Sequence, residues 1–520
     1  MTKRIIIAGG GTAGWMTAAA LSHRLKPLGL DITLIESSAI GTVGVGEATV
    51  PAIKKYFEAT GLDIREVMRA TNGTLKLGIE FADWRHPGHR FFHSFGQYGV
   101  SAGHVPFHHL WQRMDEHPLD DYCLGTQLAY AGRFAEPTKS PRAEFEVFDW
   151  AIHFDAGLFA AHLRRRAEAD GVTRIDARIT SIDQDSESGD ITALSLDNGR
   201  RIEGDLFIDC SGFRGLLIQQ AVGSPYRDWR NWLPCDRAVA LPCAPENPDD
   251  IAPLTRATAQ PGGWMWRIPL QHRVGNGYVY SSAHISDDDA EAALRQALEG
   301  EALAPANRLQ FTAGHVEKPW KNNCIAIGLA GGFLEPLEST SITLIQVAIE
   351  KLIALWPARP SDPRLAAEFN QHLETVYARI RDFLILHYCA NRRQGESLWD
   401  QCRSMELPDS LQHRVDLFRA GGHLVRQDLD SFFEASWLCM FEGFGIRPDT
   451  ADPWAERFPI EDLRELGRNL RADIAGRAAN AEPHLDYLIR QGMAGVSAVP
   501  GSRGAARAGT APGRRALPVR

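Results

Sequence analysis

Three places in the chain hold residue types able to do chemistry. Gly9-Gly10-Gly11-Thr12-Ala13-Gly14 has the G-x-G-x-x-G spacing. In such a turn Gly9 allows the tight bend, Gly11 lets the backbone approach a pyrophosphate, and Gly14 allows close helix–strand packing. Lys76 stands between Leu75 and Leu77, with Ile79 beyond, which predicts an ammonium held in an apolar wall. A partly desolvated amine has a depressed pKa and acts as nucleophile or hydrogen-bond donor. The plain alternative is a solvated surface lysine, the usual fate of that residue. Glu338 lies in Leu334-Glu335-Pro336-Leu337-Glu338-Ser339-Thr340-Ser341, ahead of an apolar helical run over 342–355. It can serve the helix dipole behind a Ser-Thr-Ser cap. The amides of Thr340 and Ser341, at that helix N-terminus, make an anion site.

These residues need elements to position them. The apolar run 5–8 reads as a strand, 13–25 as an Ala- and Leu-rich helix, and 32–35 as a second strand ending at Glu36. This is a βαβ unit with glycines at its first turn and an acid after its second strand, where Glu36 accepts from ribose hydroxyls. Phosphates then sit at the helix N-terminus. Two later strand-into-glycine segments, 205–212 and 323–331, are expected to return to the same sheet, which favours FAD over NAD. Alternating stretches at 191–196 and 277–281 read as antiparallel strands of a substrate-side sheet. Residues 363–489 carry helical patterns and are expected to pack onto the nucleotide domain. The tail from 493, rich in Ala, Gly, Pro and Arg and free of acids, is expected to be disordered. The resulting division is 1–360, 361–492 and 493–520.

The 520 residues are 44% hydrophobic and 23% charged, as in a soluble globular protein with a sizeable core. A net charge of -9 and no basic stripe argue against nucleic acid. No run has transmembrane length without charges, and a glycine turn follows the first apolar stretch where a signal peptide would have its cleavage site. The eight cysteines include no C-x-x-C pair, so no zinc site or disulfide framework is expected. His108-His109 and His153-Phe154-Asp155 lack a third ligand at metal spacing; the first reads as packing and Asp155 as a helix N-cap. A cytoplasmic enzyme without membrane contact is expected.

Six motifs in order carry a family resemblance. They are the glycine fingerprint, Gly44-Val45-Gly46-Glu47-Ala48-Thr49-Val50-Pro51, Leu75-Lys76-Leu77-Gly78, His93-Ser94-Phe95-Gly96, Gly263-Trp264-Met265-Trp266-Arg267-Ile268-Pro269, and the segment around Glu338. Over roughly the first 450 residues the chain resembles the flavin-dependent halogenases of the tryptophan halogenase family. The resemblance implies an α/β fold with a GR2-like FAD-binding domain, an inserted antiparallel sheet and a helical C-terminal region. It implies oxidation of chloride or bromide with reduced FAD and oxygen, then halogenation of an electron-rich aromatic carbon. By the same resemblance Lys76 and Glu338 are the catalytic pair, one handling hypohalous acid and the other stabilising the cationic ring. Gly9, Gly11, Thr12, Ala13, Gly14, Glu36, Ala48, Ile179, Leu329 and Ile342 would hold FAD, and Thr340 and Ser341 the halide. Tryptophan-specific members usually have glycine where Ser341 stands. Pro51 belongs to a segment like the family's mobile strap, and the two tryptophans to a string that in the family crowds the flavin.

His93 and Phe95 fall where the family surrounds the substrate ring, although an H-x-F pair is also an ordinary core pair. Aligned backward from Gly443-Phe444-Gly445, the places of the family's amino-acid-binding tyrosines and glutamate hold Gly421, Gly422 and Gln427, with Phe432 following. Phe432, Phe433 and Trp437 keep the region aromatic, which points to an indole-like substrate rather than free tryptophan. One dinucleotide fingerprint implies a separate flavin reductase as partner; a homodimer is also possible within the resemblance. The rival reading is a single-component FAD-dependent aromatic hydroxylase, which would oxidise NAD(P)H itself.

Overall fold

The computed structural model describes residues 2–39, 46–114 and 117–495. Gly44, Val45 and the tail from 496 lie outside the described residues. The first strand, Arg4–Ala8, has its apolar residues buried. It pairs in parallel with Asp31–Glu36 on one side and Leu206–Asp209 on the other. Cys324–Ala326 extends the sheet in parallel beyond Leu206–Asp209. The late segments thus return to the first sheet, as their strand-into-glycine pattern predicts. A buried-on-both-faces parallel sheet accounts for their unbroken apolar runs. The helix Thr12–Arg24 packs on Ala156–Ala169 and Thr340–Ala354.

A seven-stranded sheet stands against this unit, in the order Asn307–Gln310, Arg237–Ala240, Val274–Tyr280, Gly263–Pro269, Thr255–Gln260, Gly78–Ala82, Arg90–Ser94. Only Thr255–Gln260 and Gly78–Ala82 run parallel. Trp266 pairs with Gly277, where a Cβ would lie 2.1 Å from the indole, so the glycine makes the space the ring fills. One expectation fails here. Ile191–Leu196 is a strand, but it joins Ile179–Gln184 and Arg201–Glu203 in a separate three-stranded sheet. Period-2 alternation reports a half-buried strand and not which sheet it joins.

A third small sheet matters most for chemistry. Its central strand Ala151–Asp155 is flanked by Gly46–Ala48 and Thr74–Lys76, with Ala48 and Thr74 on either side of His153 and Lys76 opposite Ala151. Asp155 then caps the helix Ala156–Ala169, accepting from the Leu158 amide at 3.0 Å.

The C-terminal region is mainly helical. Asp362 caps Pro363–Cys389, with proline in the first turn where its missing N–H costs nothing. Its apolar stripe Phe369, Leu373, Val376, Ile380, Phe383 has helical spacing and faces the core. The helix Glu434–Phe444 lies against Arg90–Ser94, and Pro363–Cys389 against Thr340–Ala354. No helix among the described residues is long and apolar enough to cross a membrane.

Candidate functional site

The glycine turn behaves as its spacing predicts. Gly9 has φ 114°, and a Cβ there would meet the Cys210 carbonyl oxygen at 2.2 Å. A Cβ on Gly14 would stand 1.9 Å from the Gly9 oxygen, so helix and strand touch through it. Gly11 faces open space and is the N-cap, with no side chain capping the helix. The first amides therefore remain available to an anion.

Beyond the turn opens a cavity of about 390 Å³ lined by Gly9, Gly11, Thr12, Ala13, Glu36 and Ala48. Ile179, Leu329 and Ile342 also line it. Of the ten residues expected at a cofactor, only Gly14 is behind the wall rather than on it. Arg174 holds the Glu36 carboxylate at 2.5 Å. Trp264 and Trp266 close the apolar end, so the two indoles pack a sheet face and line the cavity at once. The Trp264 Nε1 donates to Glu335 at 3.1 Å, and Tyr388 donates to the same oxygen at 2.7 Å. The cavity suits FAD: open glycine backbone at one end, a carboxylate for ribose, and an apolar slot for a flat ring. Glu47 also lines it, and burial pushes this carboxyl up to about 7.

Behind this wall lies a second, charged site. Lys76 is 0% exposed, on a strand rather than at the surface. Its Nζ donates to the Thr49 carbonyl at 3.0 Å and to Ser339 Oγ at 2.9 Å, and lies 5.3 Å from the Phe95 ring centroid. Burial brings its pKa down to about 7, against the opposing pull of Glu338. Glu338 is 1% exposed and has φ 62°; Ser339 follows at 59° and Glu335 precedes at 80°. Three non-glycine residues in the left-handed region cost on the order of 1–3 kcal/mol each, a strain that gathers at functional sites.

The Glu338 carboxylate does not serve the helix start in this arrangement. His93 Nδ1 lies 2.9 and 2.8 Å from its two oxygens, and His387 Nε2 lies 3.0 Å from one. Burial alone would raise its pKa, but the two histidines prevail and hold it down near 2. The expected Ser-Thr-Ser cap is also corrected. Ser339 is the N-cap residue of Thr340–Ala354 but makes no capping bond with its side chain; its hydroxyl serves Lys76. Ser341 lines the cavity, and the Thr340 hydroxyl is buried with no partner among the described residues.

The aromatic positions divide. His93 and Phe95 lie together, ring centroids 6.5 Å apart. Phe432 is buried with one face stacked on Phe383 at 3.8 Å, and Phe383 meets Trp437 edge-on. Phe433 is about half exposed. Nearby, Arg414 lies over Trp437 and pairs with Asp430 at 2.6 Å, while Arg379 faces the same carboxylate at 3.9 Å. His108 binds the Gly422 carbonyl, and His153 sits between Thr74 and Thr255. No group of three metal-ligating side chains converges among the described residues.

Sequence reasoning missed Ser339, Thr49, Glu335 and His387. Ser339, Glu335 and Thr49 were inside recognised motifs. His387 carries no local signal, being one histidine on the buried side of a long helix.

Comparison with known proteins agrees with this geometry. The family model described as tryptophan halogenase matches residues 4–460. Tryptophan 6-halogenase SttH of Streptomyces toxytricini is 38% identical over 505 residues, covering 90% of this chain and 95% of that protein. Among solved structures, BrvH, a flavin-dependent halogenase from Brevundimonas sp. BAL3, superposes with a TM-score of 0.91 at 46% identity. It covers 94% of this chain and 99% of that one. Xcc4156, a flavin-dependent halogenase from Xanthomonas campestris, gives 0.89 at 44%, covering 94% and 98%.

Proposed function

We propose a division of labour within this chain, which belongs to the tryptophan halogenase family and is a flavin-dependent halogenase. FAD would be held in the glycine-lined cavity, its pyrophosphate by the Thr12 helix start and its ribose by Glu36. Reduced and exposed to oxygen, it supplies the oxidising equivalent that converts chloride or bromide to hypohalous acid. A separate reductase delivers it reduced, since the chain carries one glycine fingerprint.

The protein's own residues do the rest. The amides of Thr340 and Ser341 hold halide at a positive helix end. Trp264 and Trp266 keep water from the apolar end of the cavity. Lys76, with two donors committed to Thr49 and Ser339, receives hypohalous acid and presents it to the substrate. Glu338 stabilises the cationic ring formed on halogen addition, an electrostatic role suited to a buried, fixed carboxylate. His93 and Phe95 flank that ring, and Phe432 backs them. The supporting observation is that one segment does both jobs: Glu338, Ser339 and Ser341 line the flavin-sized cavity, while Ser339 and Glu338 engage Lys76 and the histidines behind it.

Indole or a substituted indole is the preferred substrate, because the positions that would grip an amino-acid head group are Gly421, Gly422 and Gln427, and Arg414 is committed to Asp430. The test supplies FAD, NADH, a flavin reductase and either halide to an aromatic panel, read by product mass. A halogenated product that requires the reductase supports the reading. Hydroxylated product with NAD(P)H alone defeats it.

A further inference from the structure

The proton inventory around Glu338 assigns a role to a residue outside every motif. His387 is 0% exposed, and both of its ring nitrogens face acceptors. Nδ1 lies 2.8 Å from the Phe383 carbonyl one turn back in the helix, and Nε2 lies 3.0 Å from Glu338 Oε1. A carbonyl only accepts, so Nδ1 carries a proton. An ionised carboxylate only accepts, so the short Nε2 contact needs a proton too. That proton belongs to the imidazole or to Glu338.

His93 decides between them. Its Nδ1 sits nearly equidistant from both Glu338 oxygens. A donor shared by two oxygens is the arrangement a delocalised carboxylate favours. We propose that His387 is a doubly protonated positioning residue, an imidazolium whose charge keeps the buried Glu338 ionised throughout the halogenation reaction. This rests on the proposed role of Glu338.

The pair solves an electrostatic problem. A lone buried carboxylate would take up a proton as its environment dried. Paired with an imidazolium it stays charged while the couple's net charge is zero. The other groups facing Glu338 are Lys76 on Thr74–Lys76, His93 on Arg90–Ser94 and Cys439 on Glu434–Phe444. Tyr388, next to His387, turns instead to Glu335. Of the two histidines on Glu338, only His387 has its second nitrogen committed to a further acceptor; His93 Nε2 is buried without a partner among the described residues.

The test uses the full chain in two ways. In His387→Gln, the amide still donates to Glu338 but brings no charge. Glu338 is held near 2 in the parent, so losing the neighbouring charge should bring a new acid limb into the kcat profile for halogenation above about pH 4, where the parent has none from this group. The alkaline plateau should fall by no more than about threefold. A uniform fall with no new acid limb, or no change, overturns the proposal. Independently, nitrogen-15 histidine spectra of the FAD-loaded protein at pH 8 should contain one imidazole protonated at both nitrogens. It is identified by its loss in His387→Gln or, should that variant not fold, in His387→Phe. A neutral imidazole at His387 overturns the proposal whatever the kinetics show. Parental activity in Glu338→Gln would instead refute the role of Glu338 while leaving the imidazolium assignment standing.

Discussion

The nucleotide cradle and the Lys76–Glu338 site share the wall made by residues 334–342, yet they are built from opposite materials. The cradle is made by missing side chains: Gly9, Gly11 and Gly14 let backbone touch backbone or leave it open. The halogenation site is made by ionisable side chains placed where charge is costly. Lys76, Glu338, His93 and His387 are each at most 1% exposed. A backbone site tolerates no added atoms, whereas a charged site tolerates no unbalanced charge. The two should therefore fail separately, and mutations can break or sharpen that contrast.

The largest expected effects are at the extremes. Lys76→Ala should abolish halogenation, a loss of at least about 10³, while FAD binding measured by flavin fluorescence remains. Gly14→Val should do the reverse in kind, losing FAD, because even a Cβ would stand 1.9 Å from the Gly9 oxygen. Halogenation by the alanine variant, or full FAD retention by the valine variant, would erase the distinction between the regions. Next in size, Glu338→Gln is nearly isosteric and should lower turnover by about 10²–10³ with folding intact. An unchanged kcat would reduce Glu338 to a structural residue.

The charged site should also carry a stability penalty that the cradle does not. The Lys76 amine is brought from 10.5 down to about 7 by burial. Below pH 7 it is charged in both folded and unfolded chains, and the full desolvation penalty weighs on the fold. Between about 7 and 10.5 the unfolded chain binds more protons, so this contribution improves as pH rises. Lys76→Met should thus stabilise the protein, on the order of 5 kcal/mol below pH 7, shrinking toward pH 10. Denaturant midpoints at pH 6 and pH 9 check this. Equal gains at both values would show that Lys76 is not desolvated in solution.

The contrast also explains what was legible in the sequence. The cradle is local: five residues of strand, a glycine turn and a helix start determine it, so Gly9, Gly11, Gly14 and Glu36 could be read off their spacing. Lys76 was visible through its apolar neighbours and its motif. The partners of Glu338 were not. His93 lies 245 positions before it and His387 49 after it, and only the sheet Gly78–Ala82/Arg90–Ser94 and the helix Pro363–Cys389 bring them together. Local patterning likewise misassigned Ile191–Leu196, because alternation does not encode a strand's partner. The helix-cap expectation failed for the same reason: the hydroxyl of Ser339 found a buried ammonium from another sheet instead of its own helix amides.

The smallest expected effect concerns substrate choice, where the contrast between regions is least sharp. The aromatic layer of Phe95, Phe432 and Phe383 is apolar, while Arg414 lies over Trp437 and is paired with Asp430. Free tryptophan brings a zwitterion whose carboxylate would have to compete with Asp430 for Arg414 and Arg379. Engaging it would mean breaking the Arg414–Asp430 pair, and leaving its head group unmatched forfeits charge-assisted bonds worth roughly 1.5–3 kcal/mol each. One such bond corresponds to a factor of about ten, so indole should be halogenated at least about tenfold faster than L-tryptophan at equal concentration. A competition between the two in one vessel, read by product mass, measures the ratio directly. Asp430→Asn sharpens it: freeing Arg414 to meet a carboxylate should narrow the preference if that arginine lies within reach of the substrate. A dominant halotryptophan product from the unaltered protein would mean that a head-group site exists elsewhere and that the backward reading through Gly421, Gly422 and Gln427 is wrong.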